Sequence, residues 1–184
     1  AFPYSEVNIT SRTKNGDFYV VMVSSDIDSG NLYLFDKEQN KISFLFKFQP
    51  GFKASEFAEV EPIKLKASDG QVINGFFTAA KFTEKGKIAP LVVLVHGGPH
   101  YVRDHWTFSN RVQYLALNGY SVLQVNYRGS GGYGHKFKTA GYQSWGTQIQ
   151  QDILDAYLWL VKQKKANANN ACIVGGSSGA YSAI

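Results

Sequence analysis

Residues 175–179 have the types and spacing of a catalytic serine turn. Gly175-Gly176-Ser177-Ser178-Gly179 fits the pattern G-x-S-x-G, in which a strand turns sharply into a helix and presents a serine hydroxyl at the bend. Glycine is required at positions 175 and 179 because a side chain there would collide with neighbouring backbone. Starting the pattern one residue later selects Ser178 but places Ala180 fifth, so we identify Ser177 as the candidate nucleophile. The alternative is a glycine-rich turn that binds phosphate or no ligand.

A second glycine turn could serve such a nucleophile. His96-Gly97-Gly98-Pro99-His100 directly follows the apolar run Leu91–Val95, where an α/β-hydrolase places its oxyanion loop. Acyl transfer needs hydrogen-bond donors that are already arranged around the developing negative oxygen. The backbone N–H of Ser178 and an N–H of the Gly97-Gly98 turn are the candidates for this role.

A third polar segment, Asn126 to Gly134, follows the apolar residues that end at Val125. Ligands gather at the carboxyl ends of parallel strands, so this loop is a candidate part of the site. Arg128 has two interpretations, a paired charge that supports the loop or a contact to substrate. Tyr133 is a candidate oxyanion donor, because a phenol can donate a hydrogen bond to a negative oxygen.

The elements that must position these residues change in type along the chain. From Asp17 to Phe48 the pattern predicts three short antiparallel strands, which cannot bury their faces alone and therefore belong to a sandwich or a propeller. A boundary near Phe57 is followed by a predicted hairpin, Ile63–Ala67 and Val72–Ala79. Downstream, strands alternate with helices, which predicts an α/β fold with right-handed parallel crossovers.

The predicted elements of the α/β part are three buried strands and two helices. Thr147 and Gln150 are expected to form a capping box at the start of the second helix, one face of which is apolar. The single cysteine, Cys172, lies in the last strand and is expected to be a buried structural thiol. The strands are Leu91–Val95, Ser121–Val125 and Ala171–Val174, the helices are Phe108–Leu117 and Thr147–Lys164, and the apolar face comprises Ile149, Ile153, Ala156, Tyr157, Leu160 and Val161.

Composition excludes several classes of protein. The chain has 184 residues, 44% of them hydrophobic, and its 19 basic and 14 acidic residues give a net charge of +5. That balance describes a folded protein, and no apolar run approaches the roughly 20 residues that cross a bilayer. The mild, scattered charge indicates neither a nucleic-acid nor a membrane partner. One cysteine allows no internal disulfide and no cysteine metal cluster. The N-terminal residues lack the blocks of a signal peptide, which leaves the compartment open.

Several motifs occur together from about Glu61 to the end of the sequence, and the combination is far more specific than any one of them. They are His96-Gly97-Gly98-Pro99, Asn126 to Ser130 with Gly132-Tyr133-Gly134, Trp145-Gly146 followed by Gln151-Asp152-Ile153, Trp159-Leu160, and Gly175 to Gly179. Together they resemble the prolyl oligopeptidase family of serine peptidases. The sequence departs from that family at Ser178, where relatives usually carry a bulky aromatic residue, and at Ala180, where glycine is usual.

The resemblance implies an α/β-hydrolase fold preceded by a β-propeller. Residues 1–57 would be the last blade of the propeller, and residues 58–184 the N-terminal portion of the hydrolase domain, up to the nucleophile turn. The family's nucleophile maps to Ser177. Its oxyanion donors map to the N–H of Ser178 together with either a glycine N–H of Gly97 or Gly98, or the hydroxyl of Tyr133. The implied substrate is a short peptide, without metal or cofactor, and a homo-oligomer is compatible with the family.

The resemblance also implies that the catalytic set is incomplete within this sequence. An α/β-hydrolase orders its triad as serine, acid and histidine, so both partners of Ser177 are expected beyond Ile184. All four histidines precede Ser177: His96 and His100 belong to the oxyanion turn, and His105 and His135 are expected in loops or at the surface. We therefore expect these residues to be part of a longer active polypeptide, and the isolated piece to be inactive. We also expect that piece to be poorly soluble, because the Ala171–Val174 strand would lose its neighbour and expose an apolar edge.

Two other functions remain open from the sequence. An esterase or lipase shares the serine turn and the His-Gly-Gly turn, although the Asn126 to Gly134 loop and the upstream strands favour the peptidase. A binding protein that keeps the hydrolase fold without its chemistry is the other alternative.

Overall fold

The computed structural model describes residues 2–184, which form two sheets. The first is antiparallel, with the strand order β1-β2-β3-β4. Three of these strands are the predicted ones, and the strand at the N-terminal edge was not predicted. Every residue of that edge strand is exposed, so no buried apolar run marks it in the sequence. The strands are β1 (Glu6–Arg12), β2 (Phe18–Ser24), β3 (Asn31–Asp36) and β4 (Lys41–Lys47).

The second sheet is mixed, with the order β5-β6-β8-β7-β9. Strands β5, β6 and β8 pair antiparallel, whereas β7 runs parallel to both β8 and β9. This sheet with its connecting helices is the predicted α/β architecture. A short 3-10 helix, Ala54–Glu56, precedes it. The strands are β5 (Val60–Lys66), β6 (Val72–Thr78), β7 (Leu91–Val95), β8 (Ser121–Asn126) and β9 (Ala171–Gly175), and the helices are α1 (Asn110–Leu117), α2 (His135–Thr139), α3 (Gln148–Lys162) and α4 (Ser178–Ala183).

The core of this α/β part surrounds the two central parallel strands. Every residue of β7 and β8 is buried, as expected for strands covered on both faces. Four residues of α3 pack against them, Ile149, Ile153, Ala156 and Leu160, while Tyr157 and Val161 are partly buried at the same cluster. The predicted apolar face of α3 is confirmed. Within residues 2–184, no helix has both the length and the apolar character needed to cross a bilayer.

Two local predictions were wrong. The capping box does not form, because the Thr147 side chain makes no capping hydrogen bond and the Gln150 amide instead donates to the Trp145 carbonyl at 2.6 Å. Strand β9 lies at the edge of the sheet with only β7 beside it, as expected for a strand that lacks its further neighbour. Cys172 and Val174 are consequently exposed rather than buried.

Hydrogen bonds from one buried side chain join the two sheets. Gln113 on α1 accepts from the Ala58 N–H at 2.9 Å and donates to the carbonyls of Ala58 and Asp26 at 2.8 and 3.2 Å. The Asp26 carboxylate, between β2 and β3, accepts from the N–H of Val60 at 2.7 Å. Asp26 and Gln113 are both buried, so the β2–β3 turn is fixed to the start of β5.

Candidate active site

Ser177 lies at the bend between β9 and α4. Its φ of 56° and ψ of −124° fall where residues with a side chain are rarely found, and such strain is held only when the surroundings enforce it. The two flanking glycines enforce it by close approach. A Cβ on Gly175 would lie 2.3 Å from the Gly179 carbonyl carbon, and one on Gly179 would lie 2.2 Å from the Val95 carbonyl oxygen. The steric reason predicted for both glycines is confirmed.

The sheet brings the two glycine turns together. Strands β7 and β9 are neighbours, with Val95 opposite Gly175, so the turns that follow them emerge side by side. A Cβ on Gly97 would lie 3.4 Å from the Ser177 Cβ and 4.0 Å from its Oγ. Ser177 is exposed. Its hydroxyl therefore lies against the His96–Pro99 segment and is open to a ligand.

Three backbone donors beside Ser177 are free. Among residues 2–184, the N–H groups of Gly97, Gly98 and Ser178 donate to no acceptor of the protein. The first amides of any helix lack a partner within that helix, which accounts for Ser178. Unpaired amides beside an exposed hydroxyl are available to donate to a negatively charged oxygen of a ligand.

A stacked pair of rings holds the His96–Pro99 turn. The Tyr127 hydroxyl donates to the His96 carbonyl at 3.0 Å, and the two rings stack with centroids 4.4 Å apart. Burial raises the pKa of Tyr127 to about 12, which keeps the phenol protonated as a donor. The sequence assigned Tyr127 no role. Its signals in the sequence were its place directly after the buried strand β8 and its membership of the Asn126 to Ser130 motif.

The His96 ring orders the Gly97-Gly98 peptide. Its Nδ1 lies 2.8 Å from the Gly97 carbonyl oxygen, which can only accept, so Nδ1 carries the proton. Its Nε2 then accepts from the Ser130 hydroxyl at 3.1 Å in the neutral ring. The hydrogen bond to the Gly97 carbonyl fixes the Gly97–Gly98 peptide group, and the Gly98 N–H belongs to that same group.

Tyr133 is not brought to Ser177. Its hydroxyl accepts a hydrogen bond from the Asn126 amide at 2.8 Å, and its ring packs against Phe137 and below the guanidinium of Arg103. It is not among the described residues that line the cavity at Ser177. The geometry favours a glycine amide over this phenol as the second donor.

Arg128 is a buried paired charge, the first of its two predicted interpretations. Its Nε and Nη2 donate to the Asp152 carboxylate at 2.8 and 2.6 Å, and its Nη1 to Asp69 at 2.7 Å. Burial raises the pKa of Asp152, and the hydrogen bonds from Arg128 oppose that rise. The Arg128 hydrogen bond lowers the pKa of Asp69. Arg128 thus ties the loop after β8 to α3 and to the β5–β6 turn.

A cavity of about 280 Å³ opens beside Ser177. Its walls are mainly apolar and aromatic, and among the described residues none that lines it carries a permanent charge. It can therefore receive an uncharged group beside the Ser177 hydroxyl. A larger cavity, near Phe57, shares no residue with it and contains no part of either glycine turn. The Ser177 cavity is lined by Gly98, Pro99, Tyr127, Trp145, Ile149, Gln150, Ser177, Ser178, Tyr181 and Ser182.

No histidine among residues 2–184 hydrogen-bonds to Ser177. His96 is engaged by Gly97 and Ser130, and the His100 Nε2 accepts from the Trp145 indole at 3.1 Å. His105 and His135 are exposed, as predicted. Within the same residues, no group of three or more His, Cys, Asp or Glu side chains could hold a metal ion.

Comparison with known proteins identifies relatives over nearly the whole chain. A model of the prolyl oligopeptidase family matches residues 106–184. Dipeptidyl aminopeptidase BIII of Pseudoxanthomonas mexicana is 31% identical over 97% of this chain and 27% of its own length. The acylamino-acid-releasing enzyme of Arabidopsis thaliana is 30% identical over 81% of this chain and 20% of its own. The chain thus spans about a quarter of the length of these relatives.

Solved structures share the fold. The crystal structure of puromycin hydrolase superposes with a TM-score of 0.83 and 24% identity. The match covers 100% of this chain and 28% of the hydrolase chain. Pyrococcus horikoshii acylaminoacyl peptidase superposes with a TM-score of 0.77 and 26% identity. The match covers 95% of this chain and 28% of the peptidase chain. These matches extend across both sheets.

Proposed function

We propose that this chain, which belongs to the prolyl oligopeptidase family, carries the nucleophile and oxyanion site of a serine peptidase that hydrolyses short peptides. One observation carries the proposal. The exposed hydroxyl of Ser177, at a strained turn, faces a segment whose glycine amides are free, and the amide of Ser178 is free as well. Peptidase names among the relatives support it.

The proposed reaction is acyl transfer through Ser177. Its Oγ attacks the scissile carbonyl carbon while a histidine takes the hydroxyl proton. The carbonyl oxygen becomes negative and accepts hydrogen bonds from the Ser178 N–H and from the Gly97-Gly98 turn. Collapse breaks the C–N bond, the histidine gives its proton to the leaving amine, and water then hydrolyses the acyl group from Ser177. The histidine and the Asp that orients it are proposed to follow Ile184 in the longer polypeptide.

The first sheet has a separate proposed role. We propose that residues 1–57 are the end of a β-propeller and that residues 58–184 begin the catalytic domain. The antiparallel order of β1 to β4 is that of a propeller blade, and buried hydrogen bonds of Gln113 fix it to the second sheet. A propeller above Ser177 would restrict substrates to short peptides.

An esterase is the second candidate, because the same serine turn, free amides and uncharged cavity would serve an ester. Assays of the full-length polypeptide with aminoacyl anilides and simple esters separate the two functions. We expect anilide and peptide hydrolysis that is lost in Ser177→Ala. Hydrolysis of esters alone would establish the esterase, and full peptide hydrolysis by Ser177→Ala would refute both.

A further inference from the structure

A second open cavity adjoins the one at Ser177. It measures about 610 Å³ and is lined by His100, Tyr142, Gln143, Trp145 and Gly146. Trp145 also lines the Ser177 cavity, so the two spaces share this residue.

One hydrogen bond restrains the Trp145 ring and another its backbone, although the residue is exposed. The indole N–H donates to the His100 Nε2 at 3.1 Å, and its backbone carbonyl accepts from the Gln150 amide at 2.6 Å. The residue is nevertheless 55% exposed. A ring that is already fixed loses little conformational freedom when a ligand covers it, so less binding free energy is lost in ordering it.

The neighbouring rings extend the same surface. Tyr142 packs edge-on against His100, with centroids 4.9 Å apart, and is 45% exposed. The His100 and Trp145 rings lie 6.0 Å apart. Exposed aromatic clusters of this kind mark interaction sites, and rigid rings bind other apolar and aromatic groups well.

We propose that Trp145, His100 and Tyr142 form an aromatic shelf that binds an aromatic or bulky aliphatic side chain of the substrate residue beside the scissile bond. The inference rests on the proposed peptidase function and deepens it by naming a specificity-determining residue, Trp145. Because Trp145 also lines the Ser177 cavity, a peptide side chain is the occupant that we propose. Within the described residues, the lining of both cavities carries no permanent charge, which argues for an apolar one.

The test compares Trp145→Ala, Trp145→Phe and the control Tyr114→Ala in the full-length polypeptide. Tyr114 is 68% exposed on α1 and lines neither cavity. Two peptide series are used, in which Ala or Phe occupies either the acyl side or the leaving-group side of the scissile bond. We expect Trp145→Ala to lower kcat/KM about tenfold for the Phe peptide of one series. It should lower kcat/KM much less for the matching Ala peptide, and the affected series identifies the side of the bond that the shelf binds. Trp145→Phe should be intermediate and Tyr114→Ala unchanged.

A binding measurement separates this inference from the proposed chemistry. In the Ser177→Ala background, calorimetry with the same peptides should show that Phe peptides bind more tightly than Ala peptides, and that Trp145→Ala removes the preference. If that preference holds while unmodified protein turns over no peptide, the peptidase function fails and the shelf stands. The shelf is refuted, whatever the activity, if Trp145→Ala weakens the binding of Phe and Ala peptides equally or weakens the binding of neither.

Discussion

Ser177 owes its position to glycines that cannot be replaced without moving backbone. Gly175 and Gly179 leave no room for a Cβ, and the sequence pattern predicts this because the glycine spacing itself encodes the close approach. The pattern carries no such information about Tyr127 or Tyr133. Which phenol faces the His96–Pro99 turn depends on the path of the loop after β8, and residue types alone do not fix that path.

The position of Tyr133 leads to a test of the oxyanion donors. We expect Tyr133→Phe to change kcat of the full-length enzyme by less than about threefold, because the phenol accepts from Asn126 and lies away from the Ser177 cavity. Loss of a true oxyanion donor costs about 10²–10³ in kcat. Steady-state kinetics distinguish these results, and a hundredfold loss in a variant with unchanged thermal stability would assign the donor role to Tyr133 instead.

Among the elements, buried ones were the easiest to predict. Strands β7 and β8 and helix α3 match their predicted spans to within about two residues because an apolar run or stripe marks each. Strand β1 was missed because all its residues are exposed. The apolar run of β9 predicted a buried strand, and its residues are exposed because β9 has only β7 beside it, the edge position expected when its further neighbour is absent. The short helix α2 was missed as well.

The β5–β6 turn is attached to the loop after β8 through Asp69. Because the Arg128 hydrogen bond lowers the pKa of Asp69 below its ordinary 3.8, the folded state favours the carboxylate. Its stabilising contribution is present above pH 3.8 and is lost as the pH falls through the lower folded-state pKa. The Asp69 side chain is 47% exposed, so we expect its pairing with Arg128 to contribute less than about 1 kcal/mol to the free energy of unfolding.

We therefore expect Asp69→Asn to lower the unfolding temperature of the full-length protein at pH 7, and this difference from the unmodified protein to shrink as the pH falls toward 3. Thermal melts across that range measure the effect, with the exposed Glu38→Gln as the control. A difference that stays constant with pH would mean that the Asp69 carboxylate is not the stabilising group.

At the scale of the whole molecule, Gln113 couples the two sheets. Replacing it with Leu removes the partners of the Ala58 N–H and of the carbonyls of Ala58 and Asp26. Leaving buried polar groups unpaired costs about 1–3 kcal/mol. The sequence did not predict this contact, because a lone glutamine on a helix gives no sign of a partner 55 residues away.

We expect Gln113→Leu to accelerate hydrogen exchange at the Ala58 amide and to lower the free energy of unfolding by about 1–3 kcal/mol. Hydrogen exchange and chemical denaturation of the full-length protein measure the two effects. Gln39→Leu, at an exposed position in the β3–β4 turn, is the control. Unchanged exchange at Ala58 would show that the amide is protected by something other than Gln113.

The proposed function requires that the Ser177 oxygen of the full-length polypeptide act as a nucleophile beside free amide donors. The most direct measurement is treatment of the native full-length protein with a fluorophosphonate, followed by mass spectrometry of the peptide that contains residues 171–184. We expect one covalent adduct, on Ser177, that is absent from heat-denatured protein and from Ser177→Ala. A folded protein that carries no adduct on Ser177, or that carries it on Ser178, would contradict the proposed role of Ser177.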